Sequence, residues 1–232
     1  MQKKIFSIAA FAVLVCSAFP RAFAQAQTDT NPYPNMGPVD QYLIADQDAE
    51  VALARTAAPP SISGEAEVMV LGRTGFTTAA PGKNGFVCVV ERGWGAGTDF
   101  KEFWNPKVRS PICFNPAAAR SILPIFLMKT RLVMAGKSKA EIVAATDAAF
   151  EKKELPALEP GAMCYMMSKQ QHLNDGAKNW HPHLMFYVSG DSAKSWGANL
   201  PDSPMMADND PEERTTIMMV WVGHWSDGSP VE

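Results

Sequence analysis

The stretch NPAAARSILPIFLMKTRLVMAGKSKAEIVAATDAAF, Asn115 to Phe150, decides the fold. It carries the start and stop chemistry of two consecutive helices. Asn115 offers a side-chain oxygen to the first free amides, and Pro116 brings a preset φ to the first helical position. This helix runs to about Ala135, bent or broken near Pro124, and Gly136 supplies the stop. Ser138-Lys-Ala-Glu141 is a capping box for a second helix, along which Ile142, Thr146, Ala149 and Phe150 recur at helical spacing. Pro156 and Pro160 close it.

Strand patterns flank the pair on both sides. Upstream, Val68–Leu71 and Phe86–Val90 are β-rich runs with Asn84-Gly85 between them, a dipeptide suited to the positive φ of a hairpin turn. Both runs are apolar on each face, so these strands are expected to be covered on both sides. Downstream, Ala162–Met167, His183–Val188 and Thr216–Val222 are rich in β-branched, aromatic and methionine residues, with Gly, Asp, Asn and Pro between them. Val39 to about Ala57 is expected to be helical and to stop at Pro59-Pro60. Residues 93–114 are expected to form a long loop. The order predicts one α+β domain over residues 39–232, a mostly antiparallel sheet with the helix pair packed on it. Residues 25–38, with Pro32, Pro34 and Pro38, are expected to be a flexible N-terminal arm.

The first 24 residues have the pattern of an address. Lys3 and Lys4 precede an apolar run from Ile5 to Phe19, and Ala22-Phe-Ala24 forms a small-residue cleavage site before Gln25. The run is too short to span a bilayer, and no later segment of the mature chain approaches that length. Cys16 raises a lipoprotein alternative, but Val15 stands where that processing needs a small residue. The expected location is therefore periplasmic or secreted. Cleavage removes Lys3, Lys4 and Arg21 and no acidic residue, so 21 basic residues become 18 against 24 acidic, and the net charge moves from −3 to −6. Such a balance argues against nucleic-acid binding, which needs concentrated positive charge. Three cysteines remain, Cys88, Cys113 and Cys164, in an oxidising compartment. Spacing does not choose the pair. A bond involving Cys113 is favoured because Cys113 falls in the expected loop while the other two fall in apolar runs.

The candidate chemistry centres on Trp180-His181-Pro-His183. Residues two apart on a strand face the same way, about 6.6 Å apart, so two imidazoles can converge on zinc or copper. A third ligand is needed, and His224, beyond the last strand, is the first choice, with His172 and Asp191 as others. The alternative is that the pair bonds to backbone at a strand start. His-x-His also opens the first cupin signature, but Leu184 to Gly190 contains no acidic ligand and no second signature follows, which disfavours that barrel. A Cys–His nucleophile would draw on Cys88 or Cys164, both in apolar runs better suited to packing. The adjacent pairs Met166-Met167, Met205-Met206 and Met218-Met219 would point to opposite strand faces and chelate poorly. Trp94, Trp104 and Trp180 could stack on a ligand if exposed, or merely pack if buried.

Three stretches, Phe86–Trp94, Pro111–Pro116 and Pro160–Met167 leading to His181-Pro-His183, together resemble a group of uncharacterised secreted bacterial proteins. The resemblance implies secretion and one continuous domain, and brings no activity. Two functional readings stand. One is a non-enzymatic domain binding a small ligand or an envelope component through the 93–114 loop and the Trp180 loop. The other is a metal-dependent enzyme, hydrolase-like, using His181 and His183.

Overall fold

The computed structural model describes residues 31–176 and 181–231. The export signal, its Ala24–Gln25 cleavage site and Trp180 lie outside the described residues. Eight strands form one sheet in the order β2-β1-β3-β4-β5-β6-β8-β7. They are β1 Glu67–Gly72, β2 Gly75–Ala80, β3 Val87–Glu91, β4 Ser110–Phe114, β5 Met163–Met166, β6 His183–Ser189, β7 Met205–Asp210 and β8 Thr215–Trp221. All neighbours are antiparallel except β1 and β3. The α+β class and the mostly antiparallel sheet are as the sequence predicts.

The helix pair also forms, with its ends where the local chemistry places them. Asn115 caps α3, Pro116–Ser121, by accepting from the Ala118 amide. Ile122 then breaks the run, and α4, Leu123–Met134, restarts with Pro124 in its first turn, where a missing amide costs nothing. Ser138 and Glu141 make the reciprocal capping box of α5, Lys139–Glu151. One sheet face puts Val89, Ile112, Phe114, Cys164 and Tyr187 against Leu123, Phe126 and Val133 of α4 and Ile142 of α5. The other puts Val68, Cys88, Val90 and Cys113 against Ala54, Ala57 and Ala58 at the end of α1, Gln47–Arg55, and just beyond it. So β3 is covered on both sides, which explains its unbroken apolar run.

Several expectations are corrected. Asn84-Gly85 does not turn a hairpin, because β1 and β3 run parallel through Glu67↔Val87 and Val68↔Cys88. The hairpin is β1–β2, whose second strand, Gly-Phe-Thr-Thr-Ala-Ala, has a polar face and a weak strand pattern. The Asn84 side chain instead donates to Ile62 O and accepts from the Phe86 amide, tying the loop to the short helix α2, Pro60–Ser63. The expected 93–114 loop contains a strand, β4, fully buried and directly opposite β3. Cys113 lies on that strand, and it forms a disulfide with its cross-strand neighbour Cys88. The edge strand β7 escaped notice because Asp208, Asn209 and Asp210 read as a loop. The helix expected over 39–57 is a single 3₁₀ turn, Val39–Gln41, followed by α1 with Asp46 as its cap. The described part of the arm is docked rather than flexible. Tyr33 and Met36 pack against the core, and the Tyr33 hydroxyl donates to Asp175. Among the described residues, no helix is long and apolar enough to cross a membrane.

Candidate functional site

His181, His183 and His224 do not assemble a metal centre. The His183 ring is buried, 2% exposed, and its Nδ1 lies 2.9 Å from the backbone oxygen of His181. It stacks edge-on to Trp221, its cross-strand neighbour, with ring centroids 5.3 Å apart. Burial pushes its pKa down, which favours the neutral imidazole. His181 is exposed, and His224 sits exposed in the turn after β8, bridged by backbone to Pro230. Among the described residues, no three His, Cys, Asp or Glu side chains come together in a way that could hold a metal ion. Of the pair, His183 bonds to backbone at the strand start, and the His181 ring lies edge-on to Trp221, with centroids 5.7 Å apart. The Cys–His nucleophile is equally unsupported. Cys88 is oxidised, and Cys164 is buried against the Tyr187 hydroxyl at 3.4 Å, its thiol pKa raised by burial.

Of the tryptophans proposed for stacking, Trp94 and Trp104 belong to the core, and Trp180 lies outside the described residues. Trp94 is fully buried, and its indole N–H donates to Thr130 Oγ1 at 3.0 Å. Trp104 is 5% exposed and packs edge-on against Phe103. Its backbone oxygen accepts from the Tyr42 hydroxyl.

A different group of residues converges on the helix-covered side of the sheet. Lys129, on the buried face of α4, is 1% exposed and donates to Ala96 O at 3.0 Å. Its ammonium is also 3.4 Å from Glu213 Oε1, in the β7–β8 turn. Thr98 grips the same turn, donating from its amide and hydroxyl to Glu212 Oε1 at 2.9 and 2.5 Å. Glu91, at the end of β3, completes the group. Its carboxylate lies under Gly95, where a Cβ would come within 2.7 Å of Oε2 and push the carboxylate aside. Burial, reinforced by the charge of Glu213, raises the Glu91 pKa to about 8, against the pull of Lys129. Burial likewise raises Glu213 to about 7, again opposed by Lys129 and aided by Asp210. Asp210 is raised too, mainly by burial. Three carboxyl groups share one ammonium, so in low dielectric they cannot all be charged. All three carboxyl groups are thus pushed toward the protonated form, and shifts of this kind concentrate at functional sites.

Glu213 also reaches a cleft of about 490 Å³. The apolar walls come from Ile122, Ile125 of α4, Phe150 of α5, and Leu155, Pro156 and Leu158. The polar end is made by Ser121, Ser189, Glu213 and Thr215, with Lys153 and Arg214 as its cations. Thr215 is 2% exposed, and its hydroxyl has no hydrogen-bond partner. Arg214 is held in position by Glu151 at 2.7 Å and by the Phe150 ring, 4.8 Å from its guanidinium carbon. The volume and the balance of apolar walls with a few polar groups fit a small-molecule site.

The sequence reading missed this site because each member is an ordinary residue type, far from the others in the chain. One signal was present. Lys129 falls on the apolar stripe of α4 with Phe126, Thr130 and Val133, where a lysine must find a partner. No family model matches the chain, and neither the curated proteins nor the solved structures contain a significant match to it.

Proposed function

We propose that the chain is an exported, non-enzymatic domain that binds a small ligand with an apolar body in the cleft between the helices and the β6–β8 end of the sheet. The observation that carries this reading is the cleft itself, about 490 Å³ with apolar walls and a few polar side chains, Ser121, Ser189 and Thr215 among them. The export pattern of residues 1–24 supports a periplasmic or secreted location, and the Cys88–Cys113 disulfide suits an oxidising compartment. The binding face thus differs from the one expected at Trp94, Trp104 and Trp180.

The test is a methyl-resolved NMR titration of the mature protein with 1-octanol as an apolar probe. Saturable shifts confined to Ile122, Ile125 and Leu155 support the reading. Ile125→Trp, which fills the cleft from the α4 wall, should abolish them. No saturable shift at those methyls with 1-octanol overturns it.

A further inference from the structure

The two cations of the cleft have an unusual backbone. Lys153 has φ of 59° and Arg214 has φ of 55°, both in the left-handed region that side chains with a Cβ avoid. Lys153 stands at the C-terminal closure of α5, where its amide bonds Phe150 O and the next amide bonds Ala149 O. The end of α4 has the same closure, with Gly136 bonding Val133 O and Lys137 bonding Leu132 O. There the left-handed position is a glycine with φ of 74°, the usual solution. Arg214 ends the four-residue turn between β7 and β8, a second position where glycine relieves strain. The chain therefore places a cation in each of two glycine-favouring positions, and both line one cleft. Asn199 and Asp202 share this backbone outside the cleft, so it is the meeting of two such cations in one cleft that sets these positions apart.

From this coincidence we infer that the ligand is an amphiphile with an anionic head. Its head lies between Lys153 and Arg214, and its tail lies along Ile122, Ile125 and Leu155. The inference rests on the cleft reading above and adds the ligand's charge. Lys153 makes no ion pair with another described residue, so its ammonium has no competing partner. Arg214 keeps part of its surface open despite its bond to Glu151 and a longer pairing with Asp147 at 3.9 Å, its side chain being 45% exposed. Two cations against one carboxyl group, Glu213, and the apolar walls together match a carboxylate or phosphate carrying a short hydrocarbon chain.

The experiment measures affinity of the mature protein for octanoate, octyl phosphate, 1-octanol and octylammonium at neutral pH by titration calorimetry. Octanoate should bind about fivefold more tightly than 1-octanol, the most that one exposed charge pair confers. Octylammonium should bind more weakly than 1-octanol, and the ratio of octyl phosphate to octanoate assigns the head as phosphate or carboxylate. Lys153→Gly should raise the melting temperature by relieving strain, leave 1-octanol affinity unchanged and erase most of the octanoate preference. Lys153→Arg should restore the preference without the added stability. Equal binding of octanoate and 1-octanol, or a preference untouched by Lys153→Gly, overturns the inference while the cleft stands. Failure of all four probes to bind overturns the cleft reading and the inference with it.

Discussion

Two buried ion pairs lie on opposite sides of β3, and they are built to different rules. In the first, Arg92 and Glu50 are each 1% exposed and meet at 2.9 Å. Arg92 spends its remaining donors on Tyr42 O at 2.7 Å and on Val90 O, and Glu50 also accepts from the Leu71 amide at 3.2 Å. Arg109 adds a second positive charge nearby, so cations outnumber the anion, and several backbone groups tie both members of the pair in place. Burial lowers the Arg92 pKa to about 10, which leaves it charged at neutral pH. The pair joins the 3₁₀ turn before α1, α1 itself, β1 and the end of β3. In the second, Lys129 and Glu213 are 3.4 Å apart, and Glu91 and Asp210 press on them with two more carboxyl groups. The first pair is a fastener. The second cannot be satisfied by charge alone, and its carboxyl groups are pushed toward the protonated form instead, beside a cleft. A buried pair tied to backbone fixes a structure, whereas one crowded by further carboxyl groups remains sensitive to what approaches it.

Breaking the first pair gives the largest expected effect. Glu50→Ala strands a permanently charged guanidinium in the core, which costs about 3–5 kcal/mol. Urea unfolding measures it, and a loss near zero would mean that Arg92 finds water or another carboxylate. Breaking the second pair should cost less. In Lys129→Met the buried carboxyl groups escape their penalty by keeping protons, so the expected loss is about 1–3 kcal/mol. That loss should also be smaller at about pH 6 than at about pH 8. A pH-independent cost equal to that of Glu50→Ala would remove the distinction between the pairs.

The contrast also separates what the sequence discloses from what it conceals. Helix ends are local chemistry, so Asn115, Pro116 and the Ser138–Glu141 capping box were legible and hold in the fold. Strand partners are not local. The Asn84-Gly85 signal was real turn chemistry, but β1 pairs with β2 on one side and runs parallel to β3 on the other, which turn residues do not report. Buried β4 was hidden by its brevity and by Pro111 at its start. At the site, His181-Pro-His183 drew attention by residue type, yet strand packing fixed what those imidazoles touch. Lys129 and Glu213 meet only because the β7–β8 turn reaches back to the loop after β3.

The last expected effect is a pH slope, and its sign follows from the raised carboxyl groups. In an unfolded chain Glu91 and Glu213 would titrate near 4.3. In the fold they titrate near about 8 and about 7, so between those limits the native state binds more protons than the unfolded state. Stability from this source is full below about pH 4.3 and is lost as pH rises through the folded values. The lowered groups Glu141, Asp175 and Asp227, each near about 2, act with the opposite sign but only in acid, outside that window. His183, lowered by burial, opposes the slope as its unfolded value near 6.5 is crossed, and it is common to both proteins compared. Glu91→Gln carries no titrating proton, so its difference from the parent isolates the carboxyl group. The urea midpoint of the parent should fall relative to Glu91→Gln as pH is raised from about 5.5 to about 8.5. Parallel midpoints across that range would mean Glu91 is ionised in the native state, and the second pair would then be as settled as the first.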